Sequence, residues 1–85
     1  MDSPPRPPSA KESASQIGQF VRQRRKRSAM TQMDLGELAG TGTRVISELE
    51  GGKPTLRLDS VNAVLAVFGK QLGVVEVVRD HGDLR

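Results

Sequence analysis

The sequence predicts an all-α fold of four to five short helices, closed by a short C-terminal β-strand that pairs across a dimer. Three observations carry that expectation. Apolar residues recur at helical spacing between Ile17 and Phe68. Turn signals interrupt the spacing at Gly40, at Gly51-Gly52-Lys53-Pro54 and at Gly69. A valine-rich run from Leu72 to Val78 then changes to the composition of a strand. Eighty-five residues suffice for one small domain.

Residues 1–12, MDSPPRPPSAKE, hold four of the five prolines and no apolar cluster, and are expected to form a disordered arm. The helical domain is expected over residues 13–69. Its first helix opens at a Ser13-x-x-Gln16 capping box and runs to about Arg27, with Ile17, Phe20 and Val21 on the inner face. Met30 then plugs the core. The next twenty residues, TQMDLGELAGTGTRVISELE from Thr31 to Glu50, read as two short helices around a glycine turn. Thr31 is the expected N-cap, with Asp34 at the positive helix end. Leu35, Leu38 and Ala39 face inward from the first of the pair, and Val45, Ile46 and Leu49 from the second. Gly40 falls where the chain leaving a helix needs a positive φ. A fourth helix fits Leu58 to Phe68, with Leu58, Val61, Leu65 and Phe68 on one stripe.

Residues 70–78 supply the strand, through Leu72, Val74, Val75, Val77 and Val78, and residues 79–85 a flexible tail. One strand cannot satisfy its own backbone, and no other segment looks like its partner. The economical solution is the same strand of a second copy, antiparallel about a two-fold axis, which makes a homodimer. Helix swapping or a partner protein would also cover it.

Composition removes several function classes. No segment has the apolar length of a membrane span and the N-terminus lacks a signal peptide's apolar core, so a cytoplasmic protein without membrane contact is expected. The absence of cysteine excludes disulfides and thiolate metal sites. Two phenylalanines, without Trp or Tyr, argue against a binder that stacks unpaired bases. The charge is uneven. Residues 1–27 carry seven Lys/Arg and two acids, a net +5, whereas residues 31–60 carry three against five, a net −2. Catalysis has no constellation to carry it. The only histidine, His81, lies in the tail beside Asp80 and Asp83, and Ser47 has no histidine nearby in sequence. No metal-ligand spacing or phosphate-cradling loop is present, so no enzyme, metal or cofactor is expected.

Double-stranded DNA is the partner that the remaining features suggest. The helix from Gly42 to Glu50 has one buried face and one free polar face, of a size that enters a major groove. Gly42, Thr43, Arg44, Ser47 and Glu48 lie on its outward arc. Arg44 has the geometry to read guanine bidentately, and Thr43 and Ser47 suit thymine methyl or phosphate contacts. Glu48 can only accept, so it is a cytosine reader or a solvated residue. Gln32, and Lys53 in the turn, are placed to donate to phosphates. The basic run Arg22 to Arg27 ends the helix before the reading unit, where Arg24, Lys26 or Arg27 reaches flanking phosphates. Arg25 is read differently: it pairs with Glu50, whose helical phase turns its carboxylate inward beside Leu49.

These residues make the chain resemble the Cro/C1 (Xre-type) helix-turn-helix family from about Ile17 to Phe68. Thr31-Gln32, Leu35, Ala39, Gly40, Ile46-Ser47, Glu50 and Gly52-Lys53 stand at the family's spacing without a gap. With a strand after the fourth helix, the whole is similar to HipB-type antitoxins, including the subgroup with a GKPTL turn. The resemblance implies a two-fold dimer on a palindromic operator, repressing its own operon in the bacterial cytoplasm, associated with the nucleoid. It also implies a tight complex with a HipA-like serine/threonine kinase toxin. It assigns a phosphate contact to Gln32, reading positions to Gly42, Thr43, Arg44, Ser47 and Glu48, and a structural ion pair to Arg25 and Glu50. Gly36 stands where alanine is usual, Ala29 where glycine is usual, and Thr41 at a position normally apolar. Gly42, without a side chain, narrows base reading. Two other functions fit the same residues: a stand-alone phage-type repressor without a toxin, and a protein-interaction module of the same fold.

Overall fold

The computed structural model describes residues 4–77. Among them are four helices: α1 (Ala10–Arg27), α2 (Gln32–Ala39), α3 (Thr43–Glu50) and α4 (Leu58–Val67). α1 begins one turn earlier than expected, so Ala10, Lys11 and Glu12 are helical. Ser9, not Ser13, is its N-cap. The Ser9 hydroxyl accepts from the Glu12 N–H at 3.0 Å, and the Glu12 carboxylate accepts from the Ser9 N–H at 2.8 Å. Of two successive boxes, the one with a carboxylate prevails because its charge also meets the positive helix end. Thr31 and Asp34 form the reciprocal box that opens α2, at 3.0 and 2.9 Å. Those bonds hold the Asp34 carboxyl below its ordinary pKa.

The four helices meet in one core of Val21, Leu35, Ile46, Leu49, Val61, Val64 and Leu65. Val21, Leu35, Ile46 and Val64 have no exposed surface at all. Each such side chain contributes roughly 1.5–3 kcal/mol by leaving water. Ile17, Phe20, Met30 and Phe68 pack around that centre, as the periodicity predicts. Two apolar positions do not. Leu38 and Leu58 are 66% and 71% exposed, and Val64 takes the inward place on α4. Val64 satisfies the spacing to Val61 and Phe68 as Leu58 does to Val61 and Leu65, but Leu58 is the first residue of α4 and overhangs the core edge.

Backbone approaches as closely as the side chains do. A Cβ on Gly36 would lie 2.6 Å from the Gly42 carbonyl carbon, so α2 and α3 meet through two glycines. At Gly18, the added carbon would collide with the Leu49 carbonyl oxygen, which brings α1 directly onto the end of α3.

All four helices end in the same pair of backbone bonds, from C″ to C3 and from C′ to C2. For α1 these are Met30 N–H to Arg25 O at 3.1 Å and Ala29 N–H to Lys26 O at 3.0 Å. Thr41 and Gly40 close α2 in this way, Lys53 and Gly52 close α3, and Lys70 and Gly69 close α4. The motif needs a left-handed residue, and three of the four are glycine. The fourth is Ala29, held at φ 57°. That conformation costs a residue with a Cβ about 1–2 kcal/mol. Ala29→Gly relieves it but loosens the unfolded chain, so the net expectation is a gain of about 0.5–1 kcal/mol in urea unfolding. A loss would show that the corner tolerates alanine without strain.

Beyond α4 no strand forms among the described residues. Gln71–Val77 belong to no regular element. The Leu72 N–H donates to the Asn62 side-chain oxygen at 2.7 Å, which fastens the start of this segment to α4. Val74 and Val75 are then fully or largely exposed, and Val77 is exposed to 39%. Val78, the tail and its His81 lie outside the described residues.

Candidate nucleic-acid interface

α3 is amphipathic, and its two faces set the site. Ile46 and Leu49 are buried and Val45 half-buried against the core, which turns Thr43, Arg44 and Ser47 to solvent. Gly42 precedes them at φ 88°, ψ 164°, a conformation open essentially to glycine alone. With no capping side chain there, the first N–H groups of α3 have no side-chain acceptor from the N-cap. The side chain of Arg44 is 89% exposed.

Glu48, half-buried at the edge of this face, meets two cations of its own chain. Its Oε2 accepts from Arg44 Nε at 3.2 Å and from Lys53 Nζ at 3.4 Å. The Arg44 bond is the main cause that holds its carboxyl below the ordinary glutamate range, and Lys53 adds to it. One carboxylate thus gathers two of the cations expected at DNA. Arg44 keeps its terminal guanidinium nitrogens for another acceptor, since its bond to Glu48 uses Nε. Exposed ion pairs of this kind contribute little net stability and release easily.

Behind the reading face lies the buried pair. Arg25 grips Glu50 bidentately, Nε to Oε2 at 2.6 Å and Nη2 to Oε1 at 2.9 Å, and its Nη1 donates to the Met30 carbonyl at 2.8 Å. The side chains are 11% and 3% exposed. Desolvation pushes the Glu50 pKa up, but hydrogen bonds from Arg25 and Gln32, with the charges of Arg25 and Arg22, outweigh it and leave it lowered. The hydrogen bond to Glu50 raises Arg25 in turn. The ion pair expected from helical phase is therefore present.

Gln32 and Arg24 have other partners than phosphate here. Gln32 Nε2 donates to Glu50 Oε1 at 3.2 Å, so one amide hydrogen turns inward and the second is left for an outside acceptor. Arg24 lies 5.3 Å from the Phe20 ring centre and 5.5 Å from that of Phe68, two rings packed edge to face. That cation–π seat holds it on the α1–α4 seam. Lys26 and Arg27 remain exposed. Arg22 was not among the expected residues. It stands one turn before Arg25 on α1, exposed and close enough for its charge to lower Glu50. The signal was its i, i+3 spacing to Arg25.

No three His, Cys, Asp or Glu residues gather in a metal-binding group among the described residues. No helix described is long and apolar enough to cross a membrane. Comparison with known proteins agrees with this architecture. Residues 16–81 match a family described as a helix-turn-helix domain. Over 59 residues the chain is 39% identical to y4mF, an uncharacterized HTH-type transcriptional regulator of Sinorhizobium fredii, covering 69% of this chain and 78% of that protein.

Proposed function

Since the chain belongs to the helix-turn-helix domain family, we propose that it is a sequence-specific, DNA-binding transcriptional repressor that works as a dimer on a palindromic operator. The exposed Thr43-Arg44-Ser47 face of α3, pinned from behind by Ile46, Leu49 and the Arg25–Glu50 pair, carries this reading. Each protomer lays α3 in a major groove, with half-sites about one or two helical turns apart. Arg44 takes a guanine edge, Thr43 and Ser47 take methyl or phosphate groups, and Gln32 and Lys53 fix the register on the backbone. Lys26 and Arg27 add flanking charge; Arg24 adds it only by leaving its rings.

The dimer part of the proposal rests on the segment after α4. Val74 and Val75 are exposed beside a groove of about 520 Å³ lined by Ile17, Leu56, Leu58, Val61 and Leu72. A second copy pairing through Leu72–Val78 would satisfy that backbone and cover apolar surface. By its likeness to HipB-type antitoxins, the protein would repress its own operon on the bacterial nucleoid and hold a HipA-like serine/threonine kinase toxin inactive. Copurification with a kinase encoded alongside tests the toxin assignment. A repressor that binds its operator but recruits no kinase would be the stand-alone kind.

Selection of duplexes from a random pool, followed by binding assays on variants, tests the DNA reading. Arg44→Ala should lose about 1–3 kcal/mol of discrimination at one base pair. Lys26→Gln with Arg27→Gln should instead weaken all duplexes alike and flatten the salt dependence by about 0.9 for each phosphate no longer neutralised. An unchanged base preference in Arg44→Ala would remove that residue from the reading role.

A further inference from the structure

We infer that Glu48 sets DNA specificity without reading a base: it is a counter-anion built into the recognition surface, which positions Arg44 and penalises binding to backbone alone. The inference rests on the DNA-binding reading above and adds a role to it. Glu48 lies on α3 between two cations, Arg44 four residues before it and Lys53 in the turn after the helix. Both cations bond to the same oxygen, Oε2. Arg44 is held by Nε, so its two terminal nitrogens form a free fork facing outward. That fork is the part of the side chain that matches guanine O6 and N7.

The two modes of DNA binding load this cluster differently. On a mismatched duplex, Arg44 and Lys53 gain most by turning to phosphates. That leaves Glu48 unpaired against a polyanion, which is unfavourable. On a matched duplex, Arg44 presents its fork to the base while Nε stays on Glu48, so the carboxylate keeps a partner. The repulsion then falls chiefly on the wrong sequences. Restricting the orientation of Arg44 also lowers the freedom it gives up when it docks.

The test compares the full wild-type chain with Glu48→Gln, which keeps size and hydrogen bonding but removes the charge. Two probes are used: a duplex of about three helical turns recovered from a random pool by the wild-type protein, and a scrambled duplex of the same composition. In Glu48→Gln, affinity for the scrambled duplex should rise about fivefold or more, and the ratio of selected to scrambled affinity should fall by at least as much, since the selected duplex also loses the positioning of Arg44. The salt slope on the scrambled duplex should steepen by about 0.9, because the unpaired carboxylate no longer retains a counterion beside the phosphates. A merely structural role for Glu48 would not move that slope. Weaker binding of the selected duplex, with a changed preference at one base pair on reselection, would make Glu48 a base reader and overturn the inference. Unchanged affinities for both duplexes would also overturn it. A wild-type protein that enriches no sequence would overturn the DNA-binding reading itself, and this inference with it.

Discussion

Glu50→Ala is expected to lower the free energy of unfolding by about 3–5 kcal/mol, because it strands a buried guanidinium. Arg25 is 11% exposed and spends three N–H groups on Glu50 and the Met30 carbonyl. Removal of the carboxylate leaves two of those donors without an acceptor and their charge without a counterion. An 85-residue domain has only about 4–13 kcal/mol to lose, so the variant should be extensively unfolded in mild urea. The double replacement Arg25→Met with Glu50→Leu should recover much of the loss, since apolar pairs often substitute for buried ions without cost. Urea unfolding followed by circular dichroism measures both. A loss below about 1 kcal/mol in Glu50→Ala would mean that water solvates Arg25 in place of Glu50.

The same pair fixes a pH dependence. The folded-state pKa of Glu50 is depressed, so its contribution is present above the unfolded value of about 4.3 and lost as pH falls through the folded value. The stability gap between wild type and Glu50→Gln should therefore begin to narrow as the pH falls below about 4.3 and go on narrowing through the acid range. A gap that stays constant over that range would deny the ionised pair its role.

Gly18→Ala is the second large effect expected. Intrinsic helix propensity alone would favour alanine by about 1 kcal/mol. Its Cβ, however, would strike the Leu49 carbonyl oxygen and come within 3.2 Å of the Glu50 carbonyl oxygen. Both obstacles are backbone, which no rotamer change relieves, so α1 and α3 must move apart. Overpacking of this kind costs about 1–3 kcal/mol and sometimes more. Separation here would also lengthen the Arg25–Glu50 bonds, so the net loss should reach about 2–4 kcal/mol. Equal or greater stability in a thermal or urea melt would show that the α1–α3 contact is looser than these distances.

The contrast between Glu50 and Gly18 shows what the chain reveals before folding and what it withholds. Glu50 was legible because helical phase places it beside Leu49, and an inward carboxylate near a basic run has few partners to choose from. The Thr31–Asp34 box and the Gly40 turn were legible for the same local reason: capping and left-handed corners depend on neighbours in sequence. Gly18 was not, since its constraint comes from the carbonyls of a helix about thirty residues away. Leu38 and Leu58 fit an apolar stripe, but exposure at a helix edge depends on where the neighbouring helix stops. Glu48 and Arg24 lie where the spacing puts them, yet without DNA each takes a neighbour on its own surface, a choice that helical phase does not rank. The segment from Leu72 has strand composition, yet a ladder needs a second backbone, and no periodicity within one chain supplies it.

The Glu50 carboxylate does more than balance Arg25. Through Arg25 it reaches the end of α1 and the Met30 carbonyl, and through Gln32 the first turn of α2, while it is itself the last residue of α3. Three helix ends are thus cross-linked at one point. The C-terminal end of α3 cannot fray or tilt independently, so the amides of its last turn should resist hydrogen exchange until the whole domain opens, while the uncapped first N–H groups exchange freely. Docking into a groove would then immobilise little beyond the tips of Thr43, Arg44 and Ser47, because the ordering of the main chain was completed when the domain folded.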